Sequence, residues 1–134
     1  MPANILVVDD DPAALVGLVE LLQQAGYAAI GASSFVEAKQ RLAERAPDLL
    51  ITDVRLGAFN GLQLVVRGRI QHPEMAAIVT TGFSDAVIES EARRHGAVFF
   101  VKPISPDALL EAVSTELARQ AGAEPCARVM KNAE

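Results

Sequence analysis

A chain of 134 residues with 51% apolar and 22% charged residues can bury one domain's core, which excludes a disordered polymer. A net charge of −5, no basic run beyond Arg93-Arg94, one tyrosine and no tryptophan exclude a basic, base-stacking nucleic-acid surface. Apolar runs stop at four or five residues, against the roughly 20 of a membrane span, so no membrane association is expected. Met1-Pro2-Ala3-Asn4 has no basic stretch leading into an apolar one, so no signal peptide is expected. The lone cysteine, Cys126, has no partner for an internal disulfide, and a cytoplasmic location fits.

The predicted elements alternate. Asn4 to Val8 reads as a buried strand, cut off by Asp9-Asp10-Asp11-Pro12. Asp11 is placed to cap a helix with Pro12 in its first turn and Leu15, Leu18, Val19 and Leu22 on one face, stopped by Gly26. Tyr27 to Ala32 is a weaker strand. Ser34-Phe35-Val36-Glu37 is a capping box opening a helix to about Arg45. A third strand over Asp48 to Thr52 runs into Asp53. A loop from Val54 to Gly61 closes on the turn signal Asn60-Gly61, and Leu62, Val65, Val66 and Ile70 mark the next helix. Ala76 to Thr81 is a fourth strand, and a helix capped by Ser84 or Asp85 runs to about His95 and stops at Gly96. Ala97 to Val101 is a fifth strand, broken by Lys102-Pro103. Ser105-Pro106-Asp107 then opens a last helix on Leu109, Leu110, Val113 and Leu117. From about Gln120 the composition turns small and polar, so we expect one domain over residues 1–119 and a tail or linker start over 120–134.

Near-continuous apolar strands alternating with helices give a five-stranded parallel sheet, doubly wound, with helices on both faces. Sites in such sheets lie beyond the carboxyl ends of the strands. Those ends carry Asp9-Asp10, Asp53, Thr81 and Lys102, so three carboxylates, a hydroxyl and an ammonium are expected to share one pocket. Two carboxylates about 5 Å apart repel by roughly 3 kcal/mol at an effective dielectric of about 20, so the group wants a cation. Oxygen ligands without histidine or thiolate suit Mg²⁺ or Mn²⁺. A metal and Lys102 on two sides of a phosphoryl group, a hydrogen bond from Thr81, and Asp53 as nucleophile make phosphoryl transfer the expected chemistry. Gly82 leaves room for the phosphoryl group to approach.

The set Val7-Val8-Asp9-Asp10, Ile51-Thr52-Asp53, Thr80-Thr81-Gly82 and Lys102-Pro103 resembles the receiver domain of two-component response regulators, over about residues 4–119. Any one motif is common; the full ordered set is specific. The resemblance implies a flavodoxin-like sheet of order 2-1-3-4-5. It implies that Asp53 accepts a phosphoryl group from a histidine kinase or a histidine phosphotransfer protein, with Mg²⁺ held by Asp10, Asp9, Asp53 and the Arg55 backbone carbonyl. Thr81 and Lys102 would hold phosphoryl oxygens, and the Lys102-Pro103 peptide would be cis. Thr81 and Phe99 would form the switch, altering the helix 4, strand 5 and helix 5 face that meets a downstream protein. Such a domain acts as a signalling switch that catalyses its own phosphorylation and dephosphorylation, rather than as an enzyme for an outside substrate. Departures from the family pattern are Gly57 in place of proline and Asn60 in place of an acid; Arg55 and Phe83 stand where bulk screens a phosphoryl group from water.

Taken singly, the acidic turn reads as a helix cap, Thr81 as a strand residue, Phe99 as core and Lys102-Pro103 as a turn; together they favour the functional reading. His72, His95 and Arg93-Arg94 receive no role. A Mg²⁺-dependent phosphohydrolase of the haloacid dehalogenase type shares the chemistry and the Asp-x-Asp spacing of Asp9 and Asp11, but Ala13 departs from its motif. A degenerate receiver that only binds protein is the other alternative. The acidic first turn has no glycine-rich cradle for a dinucleotide or flavin.

Overall fold

The computed structural model describes residues 2–122. The strands are β1 (Asn4–Val8), β2 (Ala28–Ala32), β3 (Leu49–Asp53), β4 (Arg55–Leu56), β5 (Phe59–Asn60), β6 (Ala76–Thr81) and β7 (Val98–Val101). The helices are α1 (Pro12–Gln24), α2 (Phe35–Glu44), α3 (Leu62–Gln71), α4 (Ala86–Arg94) and α5 (Pro106–Gly122). Five strands form one sheet in the order β2-β1-β3-β6-β7, every pair parallel, which is 2-1-3-4-5 among the long strands.

Burial follows from that order. β3 and β6 lie inside the sheet with helices on both faces, and every residue of both is buried. The edge strands β2 and β7 are partly exposed. Alternation along each strand divides the core into two layers. Leu6, Val8, Leu50, Ala77 and Val79 face α2, α3 and α4, while Ile5, Val7, Leu49, Ile51 and Ile78 face α1 and α5.

The helix ends form where the sequence places them. Asp11 accepts from the Ala13 N–H at 3.2 Å with Pro12 in the first turn, and Asp85, rather than Ser84, caps α4. Ser34 accepts from the Glu37 N–H at 3.1 Å, but the returning Glu37 carboxylate takes the Ser33 N–H at 2.8 Å, one residue further out than a standard box. That backbone N–H holds the Glu37 carboxyl below the usual range.

Three expectations change. The α3 face is Leu62, Leu64, Val65 and Gly68; Val66 and Ile70 point outward, because Gly68 rather than a large side chain lies against Met75 and Leu42. The stretch after Asp53 is not a plain loop: β4 and β5 pair antiparallel as a short hairpin. The last helix continues through Gln120 to Gly122, and Gln120 bonds the backbone carbonyls of Asp48 and Glu74. The rest of the expected tail, 123–134, lies outside the described residues, and with it Cys126. Among the described residues no helix is long and apolar enough to cross a membrane.

Candidate functional site

The same alternation that builds the core delivers the site. Asp9 continues the Ile5 and Val7 parity, Asp53 that of Leu49 and Ile51, and Lys102 that of Val98 and Phe100, all on the α1/α5 face. Parallel pairing brings these ends together at one edge of the sheet. Carboxylate oxygens of Asp9, Asp10 and Asp53 lie within 4.8 Å of one another. Asp9 and Asp53 are buried and Asp10 is exposed.

Lys102 spans two of the acids. Its Nζ donates to Asp9 Oδ2 at 2.9 Å and to Asp53 Oδ2 at 3.3 Å. Asp9 Oδ1 accepts from the Asp11 N–H at 2.9 Å, so both of its oxygens are engaged. Burial pushes the Asp53 carboxyl above its ordinary range; Lys102 and the Arg55 N–H pull it down, and the Asp9 charge pushes it up again. Burial works against the charge on Lys102, but the Asp9 hydrogen bond and the two carboxylates prevail and raise its pKa. One ammonium among three carboxylates leaves the pocket net negative.

Backbone contacts fix the strand ends around Asp53. The Val54 N–H donates to the Thr80 carbonyl at 2.8 Å, the Gly61 N–H to the Val54 carbonyl at 2.7 Å, and the Lys102 N–H to the Thr81 carbonyl at 2.7 Å. Gly61 approaches so closely that a Cβ there would sit 2.0 Å from the Asp53 carbonyl oxygen and 2.6 Å from Thr52 Oγ1. The sequence marked Gly61 as a turn residue; its function is close approach. Asn60 makes a turn just ahead of α3, its Oδ1 accepting from the Leu62 N–H at 2.8 Å, while Gly61 holds the N-cap position. Gly82 adjoins open space, with nothing within 4 Å of an added Cβ. The Lys102-Pro103 peptide is cis.

Thr81 and Phe99 belong to the other face by parity, with Ala77, Val79 and the α2–α4 layer. Thr81 is buried, and its hydroxyl accepts from the Phe83 N–H at 3.3 Å. Phe99, like Ile88, packs against that layer. Across the mouth, the Arg55 guanidinium lies 4.9 Å from the Phe83 ring centroid, a contact that sequence position alone did not reveal.

The donors are three carboxylates at the carboxyl edge of a parallel sheet, with a lysine bridging the two buried ones, and comparison with known proteins places this arrangement. The response regulator receiver domain model matches residues 5–114. The chain belongs to the response regulator receiver domain family. It is 38% identical over 115 residues to the alginate biosynthesis transcriptional regulatory protein AlgB of Pseudomonas aeruginosa, covering 85% of this chain and 26% of that protein. It is 33% identical over 123 residues to the transcriptional regulatory protein GlrR of Escherichia coli, covering 91% of this chain and 28% of that protein. This receiver domain thus spans about a quarter of the length of the curated relatives it matches.

Among solved structures, a CheY-like receiver domain protein from Methanospirillum hungatei superposes with a TM-score of 0.86 at 26% identity, covering 92% of this chain and all of that one (100%). A response regulator structure from Chloroflexus aurantiacus gives a TM-score of 0.78 at 34% identity, with 89% and 100% covered. The receiver domain is a two-component signalling switch, and its acidic group is typical of the family's metal site. A histidine kinase is the partner class the family implies. The phosphohydrolase alternative loses its motif as well: Asp11 is occupied in capping α1.

Proposed function

We propose that Asp53 is the phosphoacceptor of this receiver domain, with Asp10, Asp9 and the Arg55 carbonyl holding Mg²⁺ beside it and Lys102 and Thr81 meeting the phosphoryl oxygens. The observation that carries this reading is the net-negative pocket of three oxygen donors within 4.8 Å, bridged by a single lysine. All-oxygen donors with room for water and phosphate fit Mg²⁺, which when bound neutralises charge on the transferred group. A carboxylate oxygen of Asp53 attacks the phosphorus of a phosphohistidine. The P–N bond breaks, its electron pair stays on the imidazole, and an acyl phosphate forms on Asp53.

Phosphorylation replaces the carboxylate charge with a more negative phosphoryl group, so Lys102 turns to the new oxygens and the cation is needed to balance them. A cleft of about 550 Å³ between α1 and the β7–α5 connection, lined by Ala13, Ala14, Gly17, Pro103 and Ile104, opens onto Asp9 and Lys102 and supports approach of the donor from that side. Exposed Phe83, Val87 and Val101 support α4–β7–α5 as the face for a downstream protein, with Thr81 and Phe99 as the switch beneath it. We place the receiver unit over 1–119 together with the last turn of α5 to Gly122, and its location in the cytoplasm.

The test is intact mass after incubation with Mg²⁺ and a small phosphodonor such as acetyl phosphate, with Asp53→Asn and Mg²⁺-free controls. One phosphoryl group on wild type, and none in either control, supports the reading. No addition from several donors and kinases would leave a domain that works by binding alone.

A further inference from the structure

The segment joining Asp53 to α3 lacks the family's proline and has Gly57 instead, at φ +63°, a left-handed conformation that suits glycine. That turn lets Arg55-Leu56 pair with Phe59-Asn60. Two strands of two residues have little stability in water, so side chains must hold the hairpin in place. Leu56 is buried among the α2 and α3 residues of the core. On the other strand the Phe59 ring stacks on Phe35, with centroids 4.5 Å apart and planes within 11°. Phe35 is the first residue of α2, anchored by the Ser34 cap and buried at 5% exposure, whereas Phe59 is 48% exposed. An aromatic so open adds little to the core. Its main contact fastens the hairpin to α2.

The hairpin in turn fixes Arg55. Arg55 lies two residues beyond Asp53 and pairs with Asn60 in its register, and the Val54 carbonyl of the Val54–Arg55 peptide accepts from the Gly61 N–H at 2.7 Å. We propose that Phe59 is a positioning residue, acting through its stack on Phe35 to hold the Arg55 peptide against the acidic pocket, in the place where the family's proline would stiffen the chain. The inference rests on reading that pocket as a cation and phosphoryl site. A segment that leaves its competent arrangement part of the time weakens apparent affinity by the fraction lost.

The experiment is calorimetric Mg²⁺ titration of wild type, Phe59→Ala, Phe59→Leu and Phe59→Tyr, with thermal midpoints in chelator and amide exchange at Gly61. Phe59→Ala and Phe59→Leu are expected to melt within a few degrees of wild type and to exchange the Gly61 amide faster. Both should bind Mg²⁺ roughly three- to tenfold more weakly, the scale of one aromatic pair, and Phe59→Tyr should restore binding. The leucine variant carries the test should the alanine variant not fold. Wild-type Mg²⁺ affinity in both variants would overturn the positioning role and leave the cation site standing. Absence of Mg²⁺ binding by wild type would remove the site, and the role with it.

Discussion

The two edges of the central sheet are built from opposite materials. At the amino edge, polar groups meet neutral or fully paired partners. Asp48 takes the Asn4 N–H at 2.8 Å on its carboxylate, its N–H goes to the Asn4 carbonyl, and its carbonyl accepts from Ala76 and Gln120. Arg69 donates to the carbonyls of Met75 and His95, tying α3 to the start of β6 and the end of α4. At the carboxyl edge three acids cluster, and a lysine pairs with two of them. Both edges grow from the same strands, so the contrast comes from the residues that follow or precede them. One end secures the fold, and the other holds charge that a ligand would relieve.

The largest break in this contrast is predicted from a residue without charge. Gly61→Ala drives a methyl into the Asp53 carbonyl, and with φ of −62° the strain is one of contact and not of backbone. We expect a loss of about 3 kcal/mol in urea unfolding, together with loss of phosphorylation, because relief requires the acceptor strand or α3 to move. Lys102→Met comes next. It leaves the buried Asp9 and Asp53 without their cation, a cost of about 2 kcal/mol once the partial exposure of Lys102 is discounted.

Asp53→Asn should act in the opposite direction. The folded-state pKa of Asp53 lies above its ordinary 3.8, so the folded chain keeps this proton longer than the unfolded chain. Stability from this group is therefore present below that value and lost as pH rises through the folded pKa. Removing the charge should raise stability at pH 8, a gain that fades on acidification; thermal melts across pH measure it. A wild-type stability independent of Asp53 at every pH would mean that the carboxyl edge carries no strain. The smallest effect belongs to the mouth. An exposed cation–π contact is worth about 0.5–1 kcal/mol, so Phe83→Ala and Arg55→Ala should change the dephosphorylation rate a few-fold. Rates equal to wild type in both would remove their screening role.

Much of this was legible because strand periodicity is strict. A residue's parity and its place at a strand end decide its face and its edge, so Asp9, Asp53 and Lys102 could be brought together from sequence. The β4–β5 hairpin was not legible, since two-residue strands show no period and the Phe35–Phe59 stack joins distant segments. The outward Val66 and Ile70 were misread because a small Gly68 takes the packed position. Glu116, of a residue type mostly found exposed, is buried on α5; Arg119 pairs with it at 3.0 Å, and Arg69 interacts with it across the layers.

In the proposed function, the charged edge places one carboxylate, Asp53, as nucleophile. Borohydride reduces an acyl phosphate on aspartate to homoserine and leaves free carboxylates alone. Treating phosphodonor-incubated protein in this way and mapping peptides by mass spectrometry reads the acceptor directly. Homoserine at position 53 and no other, dependent on Mg²⁺, is the expected result. Homoserine at position 9 or 10, with Asp53 unchanged, would contradict it.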